Sequence, residues 1–213
     1  MTKLLLVRHG FSEANKEDLF AGFFDAPLDE RGVFQAQVTA QYIQNNYKVS
    51  HVYASDLKRA YRTGEIVAAC CGVGITGSKD LREIFGGEWE GKKFSTLIDL
   101  YPEDFPMWMT DPAKAHCTGG ESVAQLAERT MRAIKEIALR HPNEIVVVAT
   151  HATVLRVIMT MVQYGELAPI AQVPWVSNAS VTEITYENGT FSLMRVGIDD
   201  YLEGIKTSFD EKE

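Results

Sequence analysis

Five residues set the chemistry open to this chain, and each sits just past an apolar run or in the helix that follows one. Arg8-His9-Gly10 follows the aliphatic run Leu4 to Val7, and Thr150-His151 follows the run IVVVA from Ile145 to Ala149. Arg59 lies in SDLKRAYRTGE, beyond the short stretch HVYAS (51–55), and Glu83 lies in KDLREIFGGEWEG, beyond a weaker stretch from Val73 to Thr76. Two guanidinium groups, fixed in charge and forked, match the oxygens of a phosphoryl group and stabilise the negative charge spread over them during transfer. A neutral imidazole can attack the phosphorus through one ring nitrogen when a partner, often a backbone carbonyl, keeps the other nitrogen protonated. A second imidazole adds a donor to the transferring oxygens, and a carboxyl can protonate the leaving alkoxide and then accept a proton from water. His9 suits the nucleophile, Arg8, Arg59 and His151 the phosphate clamp, and Glu83 the acid and base. No metal is needed for this scheme.

Each residue alone has a plainer reading. Arg-His-Gly could be a turn with a hydrogen-bonded imidazole, and His151 a structural histidine capping the next helix. Glu83 could be a surface charge beside Asp80, Glu88 and Glu90, and Arg59 part of a solvated helix face with Lys58 and Arg62. A metal site of His9, His151 and Glu83 is disfavoured, because the two arginines would repel a divalent cation and no His-x-x-x-His spacing occurs. A noncatalytic phosphate binder could lack the nucleophile or the acid, and this chain has both.

What ties the five together is the scaffold that the pattern implies. The runs at Leu4–Val7 and Ile145–Ala149 show no polar alternation, so they suit strands covered on both faces. Between them, RGVFQAQVTAQYIQNN (31–46) puts Val33, Ala36, Ala40 and Ile43 on one helical stripe, and residues 121–140 put Val123, Leu126, Thr130, Ile134 and Ile137 on another, ended by Pro142. Ser55 is placed to cap the helix that carries Arg59. Near the end, VTEITYENGTFSLMRV holds Asn188-Gly189 between two strand-like stretches, a two-residue hairpin signal. The expected fold is a three-layer α/β sandwich with a mainly parallel central sheet and one antiparallel edge strand. Ligands in such sheets sit beyond the carboxyl ends of the strands, where the five residues fall.

Composition narrows the partners. The 213-residue chain is 46% hydrophobic and 23% charged, with a net charge of −8, enough for one substantial core and too acidic for a general affinity for nucleic acid or an anionic membrane. Cys70, Cys71 and Cys117 form no disulfide framework and read as buried small residues in a reducing cytosol. The N-terminal apolar run is too short for a signal peptide and no later run approaches membrane length, so a cytoplasmic location is expected. No linker marks a domain boundary, and the last residues, GIKTSFDEKE (204–213), read as a flexible tail.

With these residues placed, the sequence resembles the histidine phosphatase superfamily, which includes the cofactor-dependent phosphoglycerate mutases. The likeness runs through LVRHGFSEAN, GFFDAPLDERGVFQA, YASDLKRAYRTGEIVA, LREIFGGEWEGK, GGESVAQLAER, IVVVATHATVLR and NASVTEITYENG, in that order along nearly the whole chain. The resemblance implies one domain over 1–213 with a phosphoglycerate mutase-like fold, and makes His9 the residue that is phosphorylated. It also implies that Arg8, Arg59 and His151 complete the phosphate pocket, that Glu83 donates the proton, that Asn15 contacts phosphate, and that the backbone near Gly22 and Phe23 borders the substrate. Two positions depart from the family pattern. Ala152 stands where most relatives have glycine, so a left-handed backbone there would be strained, and Phe23 stands where many have a larger aromatic.

The superfamily holds both hydrolases and mutases. The interval from Glu83 to the GGES segment is short here, as in the phosphatase branch, whereas the mutases carry a longer insertion. Phe94, Phe105, Met107 and Trp108 in that interval are read either as substrate contacts or as a satellite core. The expectation is a histidine acid phosphatase-type phosphomonoesterase of the phosphatase branch, releasing inorganic phosphate from a small phosphorylated metabolite through a phosphohistidine, without a cofactor. The alternative is a phosphoglycerate mutase, which would need 2,3-bisphosphoglycerate. A homodimer is compatible with the sequence.

Overall fold

The computed structural model describes residues 1–207. Six strands form one sheet: β1 (Thr2–Arg8), β2 (Val49–Ser55), β3 (Ile75–Ser78), β4 (Ile145–Thr150), β5 (Val181–Glu187) and β6 (Thr190–Ile198). Their order across the sheet is β3-β2-β4-β1-β5-β6, with β3, β2, β4 and β1 mutually parallel. The helices are α1 (Glu13–Lys16), α2 (Glu30–Asn46), α3 (Lys58–Cys71), α4 (Leu97–Leu100), α5 (Phe105–Thr110), α6 (Val123–Arg140) and α7 (Ala152–Tyr164).

The unbroken aliphatic runs are explained by what lies on the two faces. Leu4 and Leu6 of β1 enter one core with Val146 and Val148 of β4, while Leu5 and Val7 enter a second core with Val147. Side chains of a strand alternate between faces, so both faces demand apolar residues when helices cover both. Leu4, Leu5, Leu6 and Val7 are all fully buried, each stabilising the fold by roughly 1.5–3 kcal/mol. Helices α6 and α7 cover the first face, and α2 and α3 the second. Among the described residues no helix is long and apolar enough to cross a membrane.

The expected three-layer sandwich is therefore present, with a difference at its edge. β5 runs antiparallel to β1 but is not the edge strand, because the hairpin folds β6 back against it. The hairpin turn is the one read from the sequence: Asn188 and Gly189 both have positive φ, at 52° and 86°. On α2 the buried stripe contains Gln35 and Thr39 as well as Ala36, Ala40 and Ile43, so two polar residues lie on its inner face with work to do.

The first residues of the expected tail, 204–207, are tied to the body of the protein. Gln35 Nε2 donates to the carbonyl of Ile205 at 2.8 Å and to Thr207 Oγ1 at 3.0 Å, and Thr207 is buried. Residues 204–207 are thus held by a buried amide, and the rest of the expected tail, 208–213, lies outside the described residues.

The helix start beside the first strand is fitted to glycine. A Cβ on Gly32 would stand 1.9 Å from the carbonyl oxygen of Phe11, and one on Gly10 would stand 2.3 Å from the carbonyl oxygen of Gly32. The turn after His9 and the first turn of α2 are in backbone contact, so neither can move without the other. Gly32→Ala is expected to destabilise the protein by on the order of 3 kcal/mol, measured by urea unfolding, and to cost activity even where the fold survives.

Candidate active site

The parallel strands bring their carboxyl ends to one edge. Arg8 and Thr150 are register partners at the ends of β1 and β4, and the backbone N–H of His9 donates to the carbonyl of Thr150 at 2.9 Å. His9 and His151, the next residue on each strand, therefore stand together, with ring centroids 5.2 Å apart. Ser55 and Ser78 end β2 and β3 in register on the same edge.

Over this edge opens a cavity of about 330 Å³. Arg8, His9, Asn15, Gly22, Arg59 and Glu83 line it, as expected from the sequence. His151 and Phe23 do not. His151 is fully buried behind His9, and the Phe23 ring turns outward to Phe85 (5.1 Å) and the Arg82 guanidinium (5.0 Å).

The hydrogen bonds assign each group a state. His9 Nδ1 lies 2.7 Å from the carbonyl oxygen of Gly10, which can only accept, so Nδ1 carries the proton and Nε2 keeps its lone pair. Burial, then the charges of Arg59 and Arg8, hold the His9 ring well below the ordinary imidazole pKa. His151 is held low as well, chiefly by burial and then by Arg59. Its Nε2 pairs with Ser55 Oγ at 2.8 Å, while its buried Nδ1 and the buried Arg59 Nε meet no partner among the described residues. Unsatisfied buried donors gathered at one place mark a site shaped for something else.

The arginines are steered by carbonyls. Arg8 Nη1 donates to Val176 at 2.6 Å, and Arg59 donates through Nη1 to Phe24 at 3.0 Å and through Nη2 to Gly22 at 2.8 Å. Burial draws both down to about 10, which leaves them charged at neutral pH. Glu83 accepts from the N–H of Ile84 at 2.8 Å and, through its other oxygen, from that of Thr153 at 3.1 Å, so it is seated at the positive end of α7. On α1, the Asn15 carbonyl oxygen takes donors from the Ser12 N–H (3.1 Å), the Ser12 hydroxyl (3.0 Å) and Asn178 Nδ2 (3.4 Å). With its oxygen so occupied, Asn15 is left with its amide nitrogen as the group it can offer a ligand in the cavity it lines.

Two expectations are corrected here. Ser55 is not the N-cap of α3; that position is Leu57, and the Ser55 hydroxyl instead accepts from the Leu57 N–H at 3.3 Å and holds His151. Ala152 carries no backbone strain, because it is the first residue of α7 and is absent from the residues with positive φ. Of the aromatic interval, Phe94 and Trp108 line the cavity, Phe105 is buried in the core beneath them, and Met107 is partly exposed.

The supporting residues were not foreseen. Arg129 of α6 donates to the carbonyls of Asp80, Arg82 and Glu83 and forms a two-pronged pair with Glu121, which fixes the loop under Glu83. Asn178 donates to the His9 carbonyl at 3.0 Å, and the Ala179 N–H donates to that of Arg8 at 3.0 Å. Ala179 does so with φ at 60°, a left-handed conformation costing about 1–2 kcal/mol for a residue with a Cβ. Only the proximity of Asn and Gly-like turn chemistry in NAS hints at this in the sequence.

Comparison with known proteins settles the lineage: the model of the histidine phosphatase superfamily (branch 1) matches residues 4–199. The chain belongs to that family. Among the histidine phosphatases it is 36% identical to phosphoserine phosphatase 1 of Hydrogenobacter thermophilus, over 73% of this chain and 74% of that one. It is 35% identical to phosphoglycerate mutase-like protein 4 of Arabidopsis thaliana, over 72% of this chain and 68% of that one. The solved structure of Bacillus stearothermophilus YhfR superposes with a TM-score of 0.90 at 30% identity, covering 95% of this chain and all of the other (100%).

Both imidazoles are neutral when folded and ordinary when unfolded, which sets a sign for stability against pH. Below about pH 6.5 the unfolded chain binds protons on these rings that the folded chain refuses, so stability falls as pH drops, by up to about 1.4 kcal/mol per pH unit for each ring. Unfolding midpoints measured from pH 7.5 to 5 should decline more steeply for the wild type than for His151→Asn. Parallel curves would exclude this histidine as a source of the acid sensitivity.

Proposed function

We propose that this histidine phosphatase hydrolyses phosphomonoesters of small metabolites through a phosphohistidine on His9. The observation that carries the reading is the Nδ1–H bond to the Gly10 carbonyl, which leaves Nε2 as a lone pair in a cavity walled by two guanidinium groups. In the first step the Nε2 lone pair forms the N–P bond while the P–O bond to the alcohol breaks, its electrons leaving on the alcohol oxygen. Glu83 gives that oxygen a proton. In the second step water forms a P–O bond as Glu83 takes its proton, the N–P bond breaks, and inorganic phosphate leaves.

Arg8 and Arg59 stabilise the charge on the phosphoryl oxygens, and each is already aimed by carbonyls so that little reorganisation accompanies the reaction. Asn15 adds a neutral donor. His151, held by the Ser55 hydroxyl, packs against His9 from the buried side and backs the nucleophile. A divalent metal has poor prospects beside two buried guanidinium charges, so the reaction is read as metal-independent. The short interval before GGES and the names of the phosphatase relatives favour water as the acceptor over a second position on a sugar acid.

The test is hydrolysis of 4-nitrophenyl phosphate with and without EDTA. Activity should persist in the chelator, and acid-quenched, then neutralised samples should contain a phosphorylated chain that His9→Ala lacks. His9→Ala should abolish turnover, and Arg8→Ala or Arg59→Ala should each lower kcat/KM by roughly 10²–10³-fold. Glu83→Gln should slow an alkyl phosphate far more than the aryl ester, whose alcohol leaves without a proton. Equal losses on the two substrates would remove Glu83 from the proton-transfer step.

A further inference from the structure

A third arginine faces the same cavity without serving the phosphoryl group. Arg156 lies on α7 one turn beyond Ala152, about 6 Å along the helix axis. Its side chain is nearly buried and lines the cavity wall with Trp175 and Ala171. Nε donates to the carbonyl of Val173 at 2.9 Å, Nη2 to that of Ala171 at 3.3 Å, and the guanidinium carbon lies over Trp175, 4.4 Å from the ring centroid. These contacts fix the plane of the fork. They leave Nη1 with no acceptor among the described residues, and no carboxylate of the described residues pairs with the charge.

A buried cation held only by two carbonyls and a ring is costly, and a position that served packing alone would be better filled by an apolar side chain. The fork is preorganised and one of its donors opens on the substrate cavity. Phe94, Trp108, Met109 and Pro112 give the cavity an apolar and aromatic side, while Ser12, Asp18 and Thr153 add polar groups elsewhere in its lining. A neutral alcohol would leave the open donor unpaired on binding.

Resting on the phosphatase reading above, we propose that Arg156 is a second anion subsite, which selects phosphomonoesters whose alcohol half carries a carboxylate. The dianionic phosphoryl group engages Arg8, Arg59 and Asn15, whereas a lone guanidinium with one open edge balances a single negative charge. A planar carboxylate fits that edge while Trp175 covers one face of the fork. The apolar wall then encloses the short carbon chain between the two charged ends.

The experiment compares kcat/KM for O-phosphoserine and phosphoethanolamine, which differ by one carboxylate, with 4-nitrophenyl phosphate as the reference. The wild type should prefer O-phosphoserine by at least tenfold, and Arg156→Met should shrink that ratio about tenfold, mainly through KM. Arg156→Lys should restore part of it. The absence of a wild-type preference overturns the subsite, and this result needs no folded variant. An Arg156→Met enzyme that loses rate on both esters equally, with the ratio intact, also overturns it and leaves Arg156 as a brace for residues 171–173. Should the wild type cleave 4-nitrophenyl phosphate yet ignore the carboxylate, the subsite alone falls. Failure on all three esters overturns the phosphatase reading and the subsite with it.

Discussion

Positive charge confined at one strand edge is the constraint around which this protein is arranged. Arg8 and Arg59 are almost completely buried, and among the described residues the carboxylate of Glu83 acts on the charge of both. Such a concentration of like charge must be offset by dipoles, and the chain spends backbone carbonyls on it: Val176 for Arg8, Gly22 and Phe24 for Arg59. Burial first, and then the same field, keeps both imidazoles neutral, because a proton on either would be desolvated and would add to an unfavourable potential. The free lone pair of His9 thus comes from the same burial and charge that surround the two guanidinium groups.

Much of this was legible because strand and helix periodicity is local. The apolar runs at 4–7 and 145–149 had to be doubly covered strands, and parallel strands in one sheet must end on one edge, which is what placed His9 beside His151. Asn188-Gly189 specified its hairpin for an equally local reason: both residues tolerate positive φ. The placement of the reversed strand was less accessible. That β5 joins β1 in the interior while β6 takes the edge depends on partners far apart in sequence.

The residues that support the site were hidden by the same distance. Nothing in the sequence alone gives Arg129 a partner, yet it reaches three carbonyls near residue 82 and a carboxylate at 121. Asn178 opens one of the stretches that carry the resemblance, but neither it nor Thr207 shows in the sequence what it would hold. Their significance lies in a chain of hydrogen bonds from the Gln35 amide through Thr207 and Asn178 to the His9 carbonyl. Phe23 was placed near the substrate by resemblance, and its backbone neighbour Gly22 does border the cavity, but a ring's direction depends on packing against Phe85 and Arg82 that no spacing rule conveys.

The position of Asn178 also bears on synthesis. The ribosome delivers His9 among the first residues, but the strand that flanks it, β4, and the asparagine that grips its carbonyl arrive only after about residue 145 and at residue 178. Contacts of such long range form late and slowly. A nascent chain therefore carries His9 through most of translation without the neighbours that enclose it, and the pocket closes only as the final quarter of the polypeptide emerges.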